Sequence, residues 1–573
     1  MKKLAVFLIG LILTTNLFAQ DLNPNRYRES IFTDVLSITN VKYGEAPQWV
    51  WPYWDVDLEL DVYVPDGDLN PKRPLIIFAH SGGFLTGSKD VDNMVAICDS
   101  FARKGYVTAT IDYRKGFDPL DGESAERAVY RGIQDGKAAV RYFKENASLY
   151  DIDTNNFFFG GMSAGGFISL HVGYMDKEEE RLESTYGGGL VNDLECLDCA
   201  GNDFPHSSSV KAVIDCWGSV GDTTILESGD IPLLMMHGEN DETVPFVYGP
   251  PFGLFTLPDA YGAQPISERA ANLGMDYELY TSEGPLHMLD GSDNGDWTDE
   301  SPNSFWSDTL LPRIENFLFR LIRPYTERLS EDSVTICAPY GWVDMEVSDG
   351  EGSTYVWDYD EASINLISGE GTNAVTFEFN VPGEYDITVV EFNEILAAGD
   401  TIAFYVEVGA VEALYDYSFI EPNYVAFENL TAGGESNTYT WFFGDGETSD
   451  EFEPNHVYEA IGTYSVTLHG VDALGCIDTT IQTITIDALS VGENALETFT
   501  FYPNPIQHSL FLEGNQAIES LMIVDASGRT VYFQNDFYSN ILEIDASAWS
   551  KGVYFITIQN INGELITEKL IKN

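Results

Sequence analysis

The hydrophobic pattern of the chain changes texture near residue 325. Before that point, continuous apolar runs (74-PLIIFAH-80, 106-YVTATIDY-113, 156-NFFFGG-161, 210-VKAVIDCWG-218, 232-PLLMMHG-238 and 276-DYELYTS-282) are separated by segments of helical spacing such as 124-SAERAVYRGIQDGKAAVRYFKENA-147. Runs without polar alternation predict strands covered on both faces. Their alternation with helices predicts an α/β domain on a mostly parallel sheet with helices on both faces. After Arg323-Pro324 the helical spacing stops. Short alternating segments rich in Thr, Val and Tyr, cut by Gly, Asp and Pro, predict all-β sandwich modules in series. The phrases 382-PGEYDITVVEF-392 and 461-IGTYSVTLHGV-471 recur at equivalent places and suggest two repeats of one sandwich type. Boundaries are expected near 330, 410 and 490. They give an α/β domain over 21–330 and β modules over 331–410, 411–488 and 489–573.

The N-terminus modifies this picture. Lys2 and Lys3 precede 4-LAVFLIGLIL-13, and Ala19 follows, which is the pattern of a secretory signal peptide over 1–20. The apolar run is too short for a good spanning helix, and no later segment has the length of one, so no membrane span is expected after signal removal. The 573 residues hold 92 acidic side chains against 29 Lys and Arg, a net charge of −63. A surface of that sign repels phosphate backbones and anionic lipid, which argues against nucleic acid as a partner. Cys196 and Cys199 are expected to form a local disulfide or to stay as two free thiols, while a structural zinc would need four ligands and only His206 lies nearby. The acidic stretch 290-DGSDNGDWTDE-300 invites a calcium reading, but the twelfth position of an EF-hand would be Ser301 instead of glutamate. A solvated acidic loop is the expectation there.

One serine stands out chemically. Ser163, in 161-GMSAG-165, follows an apolar strand and precedes a helix, with glycines on both sides to relieve a sharp turn. A serine hydroxyl becomes a nucleophile only with a base to take its proton, an acid to orient that base, and donors for an oxyanion. Donors are expected from the backbone of 80-HSGGF-84, directly after a strand, with Gly82 and Gly83 as the two candidate amides and Ala164 as their partner. Asp241, in 232-PLLMMHGENDETVPF-246, ends a buried strand and is the candidate acid, with Glu239 as runner-up and Asp215 as a structural residue. His80 and His237 are expected to brace their loops. Of eight histidines, only His287 lies beyond Asp241 and before the sandwich modules, so it is the candidate base by elimination.

Together with 60-LDVYVPDG-67 and 111-IDYR-114, these motifs over roughly residues 40–325 resemble the bacterial carboxylesterase and feruloyl-esterase-like branch of the α/β-hydrolases. The departure from that family's H-G-G-G loop is Ser81. The resemblance implies acyl transfer by Ser163, Asp241 and His287 on a carboxylic ester, with no metal or organic cofactor required; export together with the β modules favours acetyl or feruloyl groups on polysaccharide as substrates. The insert 176–209 is expected to border the acyl site. A prolyl-oligopeptidase-like peptidase would share the triad order, but no propeller precedes the domain. A surface adhesin on an inactive hydrolase fold is the non-catalytic alternative. The stretch 441-WFFGDGETSDEFEPNHVYEAIGTYSVTL-468 resembles the PKD domain, with Gly444 and Gly446 in a turn and Trp441 and Tyr464 as core residues. The last module, with 502-YPNP-505, 552-GVYFI-556 and the terminal EKLIKN, resembles the C-terminal sorting domain of the type IX secretion system. That implies the secretion machinery as a partner, and a secreted or cell-surface location in a Gram-negative, Bacteroidota-type bacterium.

Overall fold

A computed structural model describes residues 22–187, 191–284, 287–299, 301–338, 341–489, 499–560 and 565–573. The expected signal peptide lies outside them. The chain forms two units, divided between Ala410 and Val411.

The first unit contains strands β1 (Val35–Pro47), β2 (Asp55–Pro65), β3 (Arg73–Ala79), β4 (Val107–Ile111), β5 (Ile152–Met162), β6 (Ala212–Cys216), β7 (Leu233–Gly238) and β8 (Tyr277–Ser282). They form one sheet in the order β1-β2-β4-β3-β5-β6-β7-β8. Pairings β1–β2 and β2–β4 are antiparallel, and all the others are parallel. The six predicted runs are β3 to β8. Their continuous hydrophobicity has a plain cause. On β3, Leu75, Ile77 and Ala79 enter one core layer while Ile76 and Phe78 enter the other. The edge strand β1 escaped the sequence pattern because most of its residues are exposed and its register shifts twice against β2.

Helices α1 (Asp92–Ala102), α2 (Gly122–Glu145), α3 (Ala164–Tyr174), α4 (Ala263–Leu273) and α5 (Leu311–Ile322) accompany the sheet. Asp121 caps α2 by accepting from the Glu123 amide (3.1 Å). Gly136 lets α2 and α3 approach, since a Cβ there would lie 2.8 Å from Val172 Cγ2. The contact offsets the roughly 1 kcal/mol that glycine costs inside a helix.

After α5, a four-stranded sheet (Ser333–Cys337, Ile402–Gly409, Gly383–Phe392, Thr354–Asp358) and a three-stranded sheet (Gly341–Glu346, Ala374–Phe379, Ile364–Ser368) enclose Phe377, Phe379, Ile387 and Val406. This module does more than follow the α/β domain. Its loop after Phe392 inserts Ile395 and Ala397 into the same core layer as Tyr27, Met94 and Phe317. The Ile395 carbonyl accepts from Tyr27 Oη (2.7 Å) and Asn70 Nδ2 (2.9 Å), and Asn393 Nδ2 donates to the Ile322 carbonyl (2.7 Å). Ion pairs Lys72–Glu394 and Arg323–Asp400 flank the junction.

In the second unit, a three-stranded sheet (Tyr415–Glu421, Tyr424–Asn429, Asn455–Val457) and a four-stranded sheet (Thr448–Ser449, Thr438–Phe442, Gly462–Val471, Ile477–Ile486) form another β module. The recurring phrases are thus the strands Gly383–Phe392 and Gly462–Val471, each inside a four-stranded sheet. Gly444 and Gly446 both take positive φ (87° and 105°), as the turn requires. Trp441 is fully buried, whereas Tyr464 is only half-buried and packs at the edge of that core. A five-stranded sheet built from segments between Phe499 and Lys572 completes the unit.

Candidate active site

β5 ends at Met162 and α3 begins at Ala164, so Ser163 is the whole turn between them. Its backbone (φ 54°, ψ −115°) lies where L-residues are rare, at a cost of about 1–3 kcal/mol. The surroundings impose it. A Cβ at Gly161 would fall 2.0 Å from the Gly165 carbonyl oxygen, and one at Gly165 would fall 1.9 Å from that of Ala79. The Ser163 amide donates to the Cys216 carbonyl (2.8 Å), pinning the turn to β6.

Ser163, Asp241 and His287 meet here. His287 Nε2 lies 2.8 Å from Ser163 Oγ, and its Nδ1 lies 2.6 Å from Asp241 Oδ2. Asp241 Oδ1 accepts from the amides of Thr243 (2.8 Å) and Val244 (2.9 Å) in the turn after β7. Burial pushes its pKa up, but bonds from His237 and His287 outweigh that and hold the carboxyl down at about 2. It therefore stays a carboxylate that can orient an imidazole. The other acids serve elsewhere. Glu239 accepts from Thr281 Oγ1 (2.8 Å), and Asp215 accepts from the Gly218 amide (2.9 Å). His237 Nε2 sits 3.0 Å from the Val244 carbonyl, bracing the Asp241 turn. His80 stacks on Tyr113 (4.3 Å between centroids) and contacts the Ser81 carbonyl, and burial pushes its pKa down to about 3.

The two glycines of the 80–84 loop divide their tasks. Both have positive φ. The Gly82 carbonyl accepts from the Leu85 and Thr86 amides (3.0 Å each), closing a tight turn. Gly83 instead borders a cavity together with Ser163 and Ala164. Among the described residues, none accepts a hydrogen bond from the amides of Gly83 or Ala164, and both residues border the cavity with Ser163.

That cavity has a volume of about 270 Å³ and walls that are mainly apolar, including Phe84, Phe117, Phe167 and Ile225. Two connections enclose it. The insert contributes Glu180, Leu182 and Thr185 and is held by Arg127 Nη1 on the Ser184 carbonyl (2.7 Å), by Arg181–Asp193 (2.8 Å) and by a Cys196–Cys199 disulfide. The second connection, with Pro251, Phe252 and Leu257, was not foreseen. Its signal was the long Pro- and Gly-rich stretch between Asp241 and α4, since connections of that length with little regular structure are uncommon unless functional. A Cβ at Gly83 would lie 2.9 Å from Phe252 Cζ, so this segment presses directly on the glycine loop.

In the stretch 290–299, Asp293, Asp296 and Asp299 are exposed, as expected of a solvated acidic loop. Asp290 is the exception: it is fully buried, accepting from Asn93 Nδ2 (3.0 Å) and Ser292 Oγ (2.9 Å). The Trp297 amide donates to Asp92 Oδ2 (3.0 Å) and the Asn93 amide to the Gly295 carbonyl (2.9 Å), so the segment clasps the start of α1. Charge content alone could not reveal partners two hundred residues away.

Residues 60–228 match the family model described as BD-FAE, residues 420–487 a PKD domain, and residues 500–573 a secretion system C-terminal sorting domain. The last marks the chain as a secreted or cell-surface protein of Bacteroidota type. No helix among the described residues is long and apolar enough to cross a membrane. Gut esterase 1 of Caenorhabditis briggsae is 31% identical over 109 residues, 19% of this chain and 19% of that protein. Phenmedipham hydrolase of Pseudarthrobacter oxydans is 32% identical over 118 residues, 20% of this chain and 23% of that protein. The chain thus spans about a fifth of the length of these relatives. A solved structure of Thermogutta terrifontis esterase 2, phosphorylated by paraoxon, is 22% identical and covers 50% of this chain and 94% of its own, with a TM-score of 0.36.

Proposed function

We propose that the protein is an exported serine esterase that hydrolyses carboxylic esters through an acyl-enzyme. The observation that carries this reading is the continuous series of short contacts from Asp241 through His287 to Ser163 Oγ, opening on an apolar cavity bordered by two free amides. His287 takes the Ser163 proton as Oγ attacks the ester carbonyl, and Asp241 stabilises the imidazolium that forms. The Gly83 and Ala164 amides receive the oxyanion while Gly82 shapes their loop. Collapse of the tetrahedral intermediate passes the proton from His287 to the departing alcohol. Water, activated by the same histidine, then releases the acid and restores Ser163.

The natural esters are proposed to be acyl groups carried on polysaccharide, a reading supported by export of a hydrolase together with PKD and sorting modules. The test is a panel of p-nitrophenyl acyl esters, acetylated and feruloylated polysaccharides, and aminoacyl amides. Ester hydrolysis well above amide hydrolysis is expected, with release of acid from at least one polymer. Faster cleavage of the amides would replace the esterase reading with a peptidase. Inertness towards every polymer would remove the polysaccharide part alone.

A further inference from the structure

The cavity beside Ser163 follows one helix. Ser163 caps α3, and Phe167 and His171 border the cavity at intervals of four residues, which is one face of that helix. At 1.5 Å per residue, His171 stands roughly 12 Å along the axis from the nucleophile. Met175, just past the end of α3, clusters with Tyr130 and Ile133, and all three border the cavity, so its far end is walled mainly by apolar side chains. The departing alcohol takes its proton from His287 Nε2, and His287 is not among the residues that border the cavity. The cavity therefore receives the acyl half of the ester. An acetyl methyl would leave nearly all of its 270 Å³ empty.

One polar group interrupts the far wall. His171 is only 8% exposed, and its Nδ1 lies 2.7 Å from the Phe167 carbonyl, so that nitrogen carries the hydrogen and donates one turn back. Burial pushes its pKa down to about 4, against the pull of that carbonyl and with the Lys137 charge adding to the effect. At neutral pH the ring is therefore uncharged, and its Nε2 is a bare acceptor. None of the described residues donates to it. Four carboxylates border the cavity as well, and they are placed differently. Asp222 and Asp259 are exposed, accepting from the Thr224 amide (2.8 Å) and the Tyr248 hydroxyl. Glu180 Oε2 accepts from the amides of Asp176 (2.9 Å) and Lys177 (3.1 Å), and Glu126 reaches solvent from the start of α2. Each of the four is bonded or hydrated, whereas the His171 acceptor is buried and unanswered.

A neutral acceptor at the end of an apolar cavity calls for a neutral donor, because an ammonium would bring an unpaired charge out of water. We propose that His171 is a specificity-determining residue, selecting acyl groups that are apolar along their length and end in a hydroxyl that donates to its Nε2. The assignment of this wall to the acyl half rests on the esterase reading; the pairing of a hydroxyl with His171 can be measured without turnover.

The experiment compares kcat/KM of the full chain on p-nitrophenyl octanoate, 8-hydroxyoctanoate and 8-aminooctanoate, and on the cinnamate and 4-hydroxycinnamate esters, so that chain and ring are both offered. Calorimetric titration with the corresponding free acids runs beside it. In at least one pair the hydroxylated ester should be favoured at least about tenfold in kcat/KM, and its acid should bind at least about tenfold tighter. The ammonium ester should be the poorest of the octanoyl set. His171→Leu should reverse the hydroxyl preference, while His171→Gln, which keeps an acceptor, should preserve its direction and so separate loss of the acceptor from a distorted helix. Equal treatment of both members of each pair, fastest turnover of the ammonium ester, or a hydroxyl preference that survives His171→Leu would overturn the proposal. Turnover without any preference would leave the esterase reading standing. Tighter binding of a hydroxy acid with no turnover of any ester would remove that reading and keep the role of His171.

Discussion

Asp215 ends β6 behind the nucleophile turn, fully buried, with Oδ1 on the Gly218 amide (2.9 Å) and Oδ2 without a hydrogen-bond partner. Burial favours its neutral form and pushes its pKa up to about 7 from an ordinary 3.8. The folded state therefore holds this proton more tightly than the unfolded chain. Below about pH 4 both states are protonated and the residue is neutral for stability. Between pH 4 and 7 the unfolded state ionises first and stability falls; above pH 7 the penalty is complete. Three pH units at about 1.36 kcal/mol each make it on the order of 4 kcal/mol. Asp215→Asn preserves shape and the Oδ1 acceptor but never ionises. The substitution should raise the melting temperature at pH 9 by about 8 °C, taking roughly 2 °C per kcal/mol for a large domain. The gain should shrink through pH 6 and vanish by pH 4. Calorimetry of both proteins across that range is the assay. An equal difference at every pH, or a less stable variant at pH 9, would refute the reasoning.

Asp241→Asn should lower turnover on a p-nitrophenyl ester by about 10⁴-fold with the fold intact, because the imidazole loses its orienting charge; steady-state kinetics and near-UV circular dichroism check both halves. Because Asp241 is held down at about 2, its contribution to stability is present above about pH 4 and lost as pH falls from 4 towards 2. The substitution should blunt that part of the acid-unfolding curve. Ile395→Ala, although in a β module, should lower the stability of the α/β domain by about 2–5 kcal/mol, since this side chain lies in its core; thermal inactivation of esterase activity reads it. Gly165→Ala should prevent the nucleophile turn from forming, as its Cβ would meet the Ala79 carbonyl at 1.9 Å. Soluble yield and residual activity measure that loss.

The sheet was legible because strands buried on both faces are apolar in continuous runs, as Leu75–Ala79 of β3 and Leu233–Met236 of β7 are. The site was legible because its parts follow fixed strands in chain order, so elimination left His287 alone. What escaped depends on partners far apart in sequence. Nothing in the pattern around Ile395 announces that its carbonyl meets Tyr27 and Asn70, more than three hundred residues earlier. The edge strand β1 is too exposed and bulged to show period-two patterning. Asp290 reads as one more solvated acid until Asn93 is placed beside it. That the Gly82 carbonyl closes the turn while Gly83 borders the cavity also needed backbone geometry, since the sequence offers two equivalent glycines.

The central claim is that Ser163 is a nucleophile activated by His287. Intact-mass spectrometry after treatment with a fluorophosphonate tests it most directly. Wild-type protein should gain a single adduct, mapped by peptide analysis to Ser163, and the Ser163→Ala variant should gain none. No adduct on folded wild type, or an adduct of equal extent on both proteins, would contradict the account.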